Sequence, residues 1–363
     1  MAAIKVLVVD DSITMRALFS NALERSSDLI VIGAAANANE ARDMIAELKP
    51  DVVTLDIEMP GMNGIDFLEE IMTTKPMPVV MLSTLTQKGA EVTLRALEIG
   101  AVDCFPKPTR ATQDEFASIS GKLCKLVATA AKSKVRKYDP SAVPAAAKAN
   151  EAGAAEADAT AAPARVYKWN GSIVALSAST GGGVAVTELL AEWPANCPPT
   201  IVLQQLEDGL AAPFASRLNG MIAPEVVLAE DGMALQQGRV YILSQPDRHG
   251  LVDRWPGGAI RMVPRDPVNG TRPSADLLLT TLAKAARDKA VGVILSGSGT
   301  DGAAGLGAVK QMGGLTLCQD RESAMVFEAS AAAIAKGAVD AQLAIPEMAQ
   351  AILARCEERT LAA

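Results

Sequence analysis

The sequence predicts two α/β domains, each a doubly wound parallel sheet, joined by an alanine-rich linker. Its 363 residues exceed what one small core needs, and at roughly 100–200 residues per domain they suit two. Both ends of the chain alternate short Val/Leu/Ile-rich runs with stretches of helical periodicity, the pattern of a parallel sheet covered on both faces. Between them lies a stretch in which Gly and Pro interrupt abundant Ala and no aliphatic face is available to bury.

In order along the chain, Lys5–Val9, Leu29–Ile32, Val52–Leu55, Val79–Leu82 and Val102–Phe105 are compact and lack polar alternation. Each therefore reads as a strand buried on both faces. Ala38–Leu48 and Glu91–Ile99 space their apolar residues by three and four, as helices packed on a sheet do. The first domain is assigned to residues 1–125, and residues 126–168 to a helix end and a flexible linker. From Ala142 to Ala164 more than half the residues are Ala, broken by Pro144, Gly153 and Pro163. Residues 169–356 form the second domain and 357–363 a tail. Its strands are Ser172–Leu176, Thr200–Leu203, Val240–Leu243, Val291–Leu295 and Leu315–Cys318. Arg248–Met262 is polar around Pro256-Gly257-Gly258 and reads as a β-hairpin.

Composition removes several function classes. A net charge of −8 gives no footprint for nucleic acid or anionic lipid. No run of apolar residues is long enough to span a membrane, and Asp10 and Asp11 interrupt the N-terminal apolar run too early for a secretory signal. Five scattered cysteines suit reduced thiols in a cytoplasm. His249 is the only histidine, which disfavours metal sites built from several imidazoles and any mechanism that needs one in a particular place.

Asp10 and Asp11 follow the first strand, Asp56 the third, Ser83 the fourth and Lys107 the fifth. In an open parallel sheet these strand ends line one crevice. Clustered carboxylates repel unless a cation sits among them, and hard oxygen ligands suit Mg²⁺. A hydroxyl and an ammonium beside them complete a site for placing a phosphoryl group on a carboxylate. The pieces Val9-Asp10-Asp11-Ser12, Asp56 with Met59-Pro60-Gly61-Met62-Asn63-Gly64, Ser83 and Lys107-Pro108 resemble a response-regulator receiver domain. The resemblance implies that Asp56 accepts a phosphoryl group from a chemotaxis histidine kinase. It implies Mg²⁺ held by Asp10, Asp11 and Asp56, and switch roles for Ser83 and Lys107. Cys104 stands where receivers carry a switch aromatic.

In the second domain, Ser177-Ala178-Ser179-Thr180-Gly181-Gly182-Gly183 follows a strand and opens a helix, a setting for a nucleophile or for a phosphate-cradling turn. The Gly-x-Gly-x-x-Gly spacing of a dinucleotide site is missing. Asp301, in Gly299-Thr300-Asp301-Gly302, lies beyond another buried strand. These stretches, with Ala229-Glu230-Asp231-Gly232 and Arg272-Pro273-Ser274, resemble the effector of chemotaxis protein-glutamate methylesterases. That family hydrolyses glutamyl methyl esters on the cytoplasmic domains of chemoreceptors, and often deamidates receptor glutamines, with a Ser-His-Asp triad. The resemblance makes Ser179 the nucleophile, Asp301 the acid that orients the base, and Thr180 a substrate- or oxyanion-binding residue. The family histidine falls on Gln205, whose amide cannot accept and return a proton. Ser298 replaces a family methionine beside the oxyanion hole, and Phe327-Glu328-Ala329-Ser330 replaces a stretch that reads Gly-Met-Pro. Two readings stand: a receptor esterase of weak or lost activity, and a non-catalytic binding module switched by phosphorylation.

Residues 133–168 bury too little apolar surface to offset the entropy of ordering them. Brief proteolysis is expected to cut there first and leave two folded fragments, observable by mass spectrometry. First cuts inside either domain would contradict the boundary.

Overall fold

The computed structural model describes residues 3–84, 87–108, 110–142 and 167–358. The chain divides into two compact units, Met1–Pro140 and Ser141–Ala363.

The first unit is a five-stranded parallel sheet of β1 (Ile4–Val9), β2 (Leu29–Ala35), β3 (Val52–Asp56), β4 (Val79–Ser83) and β5 (Asp103–Pro106), in the order β2-β1-β3-β4-β5. The predicted strands are all present, with their ends shifted slightly. β3 and β4 are buried along their whole length, which is why they lack polar alternation. Helices α1 (Ile13–Leu23), α2 (Ala38–Leu48), α3 (Gly64–Thr74), α4 (Gln87–Ile99) and α5 (Gln113–Ala130) connect or follow these strands. Ser12, Asn37, Asn63 and Thr112 cap α1, α2, α3 and α5 through their side-chain oxygens. The winding reverses at β1, which has β2 on one side and β3 on the other, so a crevice opens at their carboxyl ends.

Gly64 lets α3 begin directly against the end of β3. Its N–H donates to Ile57 O at 2.9 Å, and a Cβ there would overlap the Asp56 carbonyl oxygen.

The first domain extends beyond the expected boundary at residue 125. α5 runs to Ala130, and the chain then stays on the unit: Tyr138 N–H donates to Met72 O at 3.0 Å, and Val135 and Tyr138 pack against the core. Residues 133–138 of the expected linker are thus docked, held by backbone and aromatic contacts that apolar periodicity does not reveal. The alanine-rich stretch 143–166 lies outside the described residues.

The second unit is a seven-stranded parallel sheet. It comprises β6 (Ile173–Ala178), β7 (Thr200–Gln204), β8 (Glu225–Leu228), β9 (Arg239–Leu243), β12 (Ala290–Ile294), β13 (Leu315–Gln319) and β14 (Ala341–Leu343), in the order β14-β13-β12-β6-β7-β9-β8. β10 (His249–Val252) and β11 (Ile260–Val263) form the expected antiparallel hairpin. The helices are α6 (Gly182–Ala191), α7 (Ala211–Asn219), α8 (Ala275–Ala286), α9 (Ala303–Gln311), α10 (Glu328–Ala335) and α11 (Ile345–Cys356). β8 and β14 were not expected; both are edge strands, of only four and three residues. Here the winding reverses between β6 and β12. Glu357 and Glu358, assigned to a tail, instead belong to the unit. Glu357 forms a bridge with Trp169, and Glu358 N–H donates to Lys168 O at 2.8 Å.

The Gly64 contact gives a direct test of this packing. Gly64→Ala forces α3 away from β3 and is expected to destabilise the first unit by about 1–3 kcal/mol, the usual range for overpacking. A urea melt followed by circular dichroism checks it, and an unchanged midpoint would contradict the close approach.

Candidate functional site

At the carboxyl ends of β1, β3 and β5, the first unit brings together Asp10, Asp11, Asp56 and Lys107. A carboxylate oxygen from each of the three acids lies within 4.8 Å of the others. Asp10 and Asp56 are buried and Asp11 is exposed. Lys107 Nζ bridges the buried pair, 2.7 Å from Asp10 Oδ2 and 2.7 Å from Asp56 Oδ2. Backbone groups take the remaining oxygens: Ser12 N–H donates to Asp10 Oδ1 at 3.0 Å and Glu58 N–H to Asp56 Oδ1 at 3.2 Å. Apart from the lysine, Asp10 Oδ2 is a buried oxygen with no hydrogen-bond donor.

Burial pushes the Asp56 carboxyl above its ordinary value, and the neighbouring Asp10 charge adds to this, while the Lys107 hydrogen bond opposes it. Burial alone would lower the Lys107 ammonium, but Asp10 and Asp56 together outweigh it and raise its pKa. One ammonium between two buried carboxylates, with a third acid at the rim, leaves negative charge in excess. The cluster could therefore bind a metal ion.

Ser83 ends β4, one residue beyond the position that pairs with Asp56. Its Oγ lies 2.9 Å from Thr93 Oγ1 on α4, and both residues are buried. A longer contact, 3.4 Å, runs from Ser83 Oγ to Thr84 O. Beneath α4, Cys104 Sγ points at Thr93 O at 3.9 Å. Sequence reasoning missed Thr93; a hydroxyl on the buried face of an amphipathic helix is the signal that could have found it.

In the second unit, Ser179, Gln205 and the loop carrying Asp301 follow β6, β7 and β12, so three neighbouring strand ends converge. Ser179 sits on the turn before α6, whose N-cap Gly181 is left-handed (φ 70°). Its N–H donates to Ser296 O at 3.1 Å, and its carbonyl accepts from Gly182 N–H at 2.8 Å and from Gln204 Nε2 at 3.2 Å. Ser298 N–H donates to Ser179 Oγ at 3.0 Å. Gly297 comes so close that a Cβ there would lie 2.6 Å from Ser179 Oγ. The loop 296–299 is laced to the segment before and at the start of α10. Gly297 N–H donates to Val326 O, Ala329 N–H to Gly297 O, and Gly299 N–H to Glu328 Oε2, each at 3.0 Å. Thr180 is buried on the same turn, and its carbonyl accepts from Ser296 Oγ at 3.0 Å.

Ser179, Gln205 and Asp301, the positions that the family resemblance assigns to a triad, follow neighbouring strands without being joined. Among the described residues no hydrogen bond links Ser179 to Gln205 or Gln205 to Asp301. Gln205 Nε2 instead donates to Pro273 O at 3.4 Å. Asp301 turns its carboxylate to the start of α8, where it accepts from Ser274 Oγ (2.9 Å), Ala275 N–H (2.7 Å) and Asp276 N–H (3.0 Å), besides Gly302 N–H (3.1 Å). Asp276 Oδ1 in return accepts from Gly305 N–H at 2.7 Å in the first turn of α9. Asp301 and Asp276 thus cap each other's helices, a role the sequence pattern did not suggest.

His249 is fully buried in the hairpin. Its Nδ1 accepts from Ser274 N–H at 3.1 Å, and its Nε2 faces Asp266 O at 3.0 Å. A carbonyl can only accept and an amide N–H can only donate, so the ring is neutral with its proton on Nε2. Both nitrogens are engaged, which places this imidazole in the core, outside the Ser179 site.

Comparison with known proteins follows the same division of the chain. The family model for the response regulator receiver domain matches residues 6–115, and that for CheB methylesterase matches residues 174–352. A protein-glutamate methylesterase/protein-glutamine glutaminase of Caulobacter vibrioides is 48% identical over 357 residues, covering 97% of this chain and 98% of its own length. One of Rhizobium etli is 44% identical over 354 residues, covering 97% and 96%. The solved CheB methylesterase catalytic domain of Thermotoga maritima is 30% identical, covering 51% of this chain and 98% of its own, with a TM-score of 0.49. With both domains matched in order and relatives similar over nearly their full length, the chain belongs to the chemotaxis response-regulator family of protein-glutamate methylesterases/protein-glutamine glutaminases.

Proposed function

We propose that this chain is a phosphorylation-regulated member of the family in which hydrolysis of chemoreceptor glutamyl esters, and deamidation of receptor glutamines, is weak or lost. The observation that carries the proposal is the lack of a proton acceptor for Ser179 among the described residues. Gln205 offers an amide, Asp301 spends its carboxylate on the start of α8, and both nitrogens of the only histidine are engaged elsewhere. Without a base, attack of Ser179 Oγ on the ester carbonyl leaves the hydroxyl proton with nowhere to go. Loss of a triad base costs on the order of 10⁶ in kcat, with roughly 10³–10⁴ over water remaining from binding and the oxyanion hole. Here Ser298 N–H already binds the serine oxygen, and the Glu328 carboxylate occupies the next N–H, that of Gly299. A negative charge at that turn opposes a developing oxyanion. The second reading, a binding module that retains the fold and its receptor or kinase partner, is favoured by the same absence of a base.

The input is phosphorylation of Asp56 by a chemotaxis histidine kinase. Asp10, Asp11 and Asp56 would hold Mg²⁺, which, when bound, neutralises charge on the transferred phosphoryl group. An Asp56 carboxylate oxygen attacks phosphorus as the bond to the kinase imidazole breaks, and the electron pair returns to that ring. Lys107 keeps its positive charge between Asp10 and Asp56 and offers it to a phosphoryl oxygen. Ser83 supplies a hydroxyl donor. With these partners the protein works in the cytoplasm at the receptors' cytoplasmic domains. Among the described residues, no helix is long and apolar enough to cross a membrane.

Acetyl phosphate with Mg²⁺ is expected to phosphorylate the full chain, and Asp56→Asn to remove the label on a phosphate-affinity gel. Equal labelling of that variant would place the acceptor elsewhere. Methanol release from methylated receptor should be slow for the wild type and little changed by Ser179→Ala. Gln205→His should raise the rate without reaching that of a relative with an intact triad, because Ser298 and Glu328 remain. Fast wild-type turnover abolished by Ser179→Ala would overturn the proposal and show that another group supplies the base.

A further inference from the structure

We propose that Arg16, on α1, is a positioning residue for the cation site of the first unit: its guanidinium clamps the backbone of Asp10 and Asp11 and so holds the Asp11 carboxylate toward Asp10 and Asp56. The inference rests on the reading that these three acids hold Mg²⁺ and adds to it a residue on a helix. Arg16 Nη1 carries two hydrogens, and each has a carbonyl to meet: Asp10 O lies at 2.8 Å and Asp11 O at 3.0 Å. The sheet does not supply these bonds. β1 ends at Val9, and the Asp10 N–H, donating to Ala35 O at 3.2 Å, is the last backbone bond from this stretch to β2.

The three acids differ in what fixes them. The Asp10 carboxylate has Ser12 N–H and Lys107, and the Asp56 carboxylate has Glu58 N–H and Lys107. The Asp11 carboxylate is exposed and has no hydrogen bond or ion pair among the described residues, yet one of its oxygens lies within 4.8 Å of those of the other two acids. Its side chain is therefore placed by its backbone alone, and between the end of β1 and the start of α1 that backbone is held by Arg16. A ligand held in place before the ion arrives does not have to be ordered when it binds. Charge by itself argues the other way, because a guanidinium beside a cation site repels the ion. Positioning and repulsion thus predict opposite signs when the arginine is removed.

The test uses the full chain with Mn²⁺ alone as the probe, a cation suited by the same oxygen ligands as Mg²⁺, and counts the free ion by electron paramagnetic resonance. Arg16→Met keeps the apolar stem and removes the charge and the donors. It should bind Mn²⁺ about tenfold more weakly than wild type, the low end of the loss that follows removal of a group supporting a metal ligand. Arg16→Lys keeps the charge without the rigid fork and should also bind more weakly than wild type, a comparison that stands even where Arg16→Met does not fold. Tighter binding by Arg16→Met, with Arg16→Lys equal to wild type, would overturn the inference and make Arg16 a repelling charge. Equal Mn²⁺ affinity in all three chains, whatever their urea midpoints, would also overturn it and leave Arg16 a support of the fold only. A wild type that leaves all the Mn²⁺ free would overturn the cation-site reading itself and this inference with it.

Discussion

Both units depend on the same constraint: a parallel sheet wound with right-handed crossovers can reverse direction only by leaving a gap between two crossovers, and the loops at that gap have nothing but one another to contact. In the first unit the reversal at β1 brings residues 10, 56 and 107 within an ion pair's reach across almost a hundred residues of chain. In the second, the reversal between β6 and β12 sets Ser179 against the loop 296–302. Strand order brings these segments together before any side chain is chosen. Gly64 and Gly297 are the places where this convergence is tight enough to exclude a side chain.

The two gaps differ in electrostatic character. The first holds excess negative charge under partial desolvation, with a buried Asp10 oxygen that only Lys107 answers. Such a site gains from an incoming cation, and burial, with the neighbouring Asp10 charge, already holds the Asp56 carboxyl above its ordinary value. The second gap is nearly saturated with internal hydrogen bonds. Ser179 Oγ, Gln205 Nε2, Asp301 and Glu328 all have protein partners already. An open electrostatic need marks the first as a site poised to take a ligand; the second is closed on itself.

That closure gives residues of the second site a structural duty. Asp301 satisfies the first N–H groups of α8 while Asp276 does the same for α9. Removing either carboxylate exposes buried donors at the start of a helix whatever happens to the chemistry. Ser296 likewise serves the scaffold, tying Thr180 O to Val326 N–H through its hydroxyl.

The sequence by itself determined the strands buried on both faces, because burial of every residue leaves an unbroken apolar run. It also determined the acid cluster at strand ends and the single histidine, since composition and position suffice for these. The edge strands β8 and β14, the docked segment around Tyr138 and the pairing of Glu357 with Trp169 were decided only by the tertiary structure. Backbone hydrogen bonding leaves no mark on side-chain periodicity. The partners of Asp301, the tautomer of His249 and the contact between Ser83 and Thr93 likewise join residues far apart in the sequence or on separate elements. A hydroxyl or carboxylate reads the same in sequence whether it meets water, a helix terminus or a phosphoryl group. Which of these it meets is fixed by the packing that brings two distant segments within three ångströms.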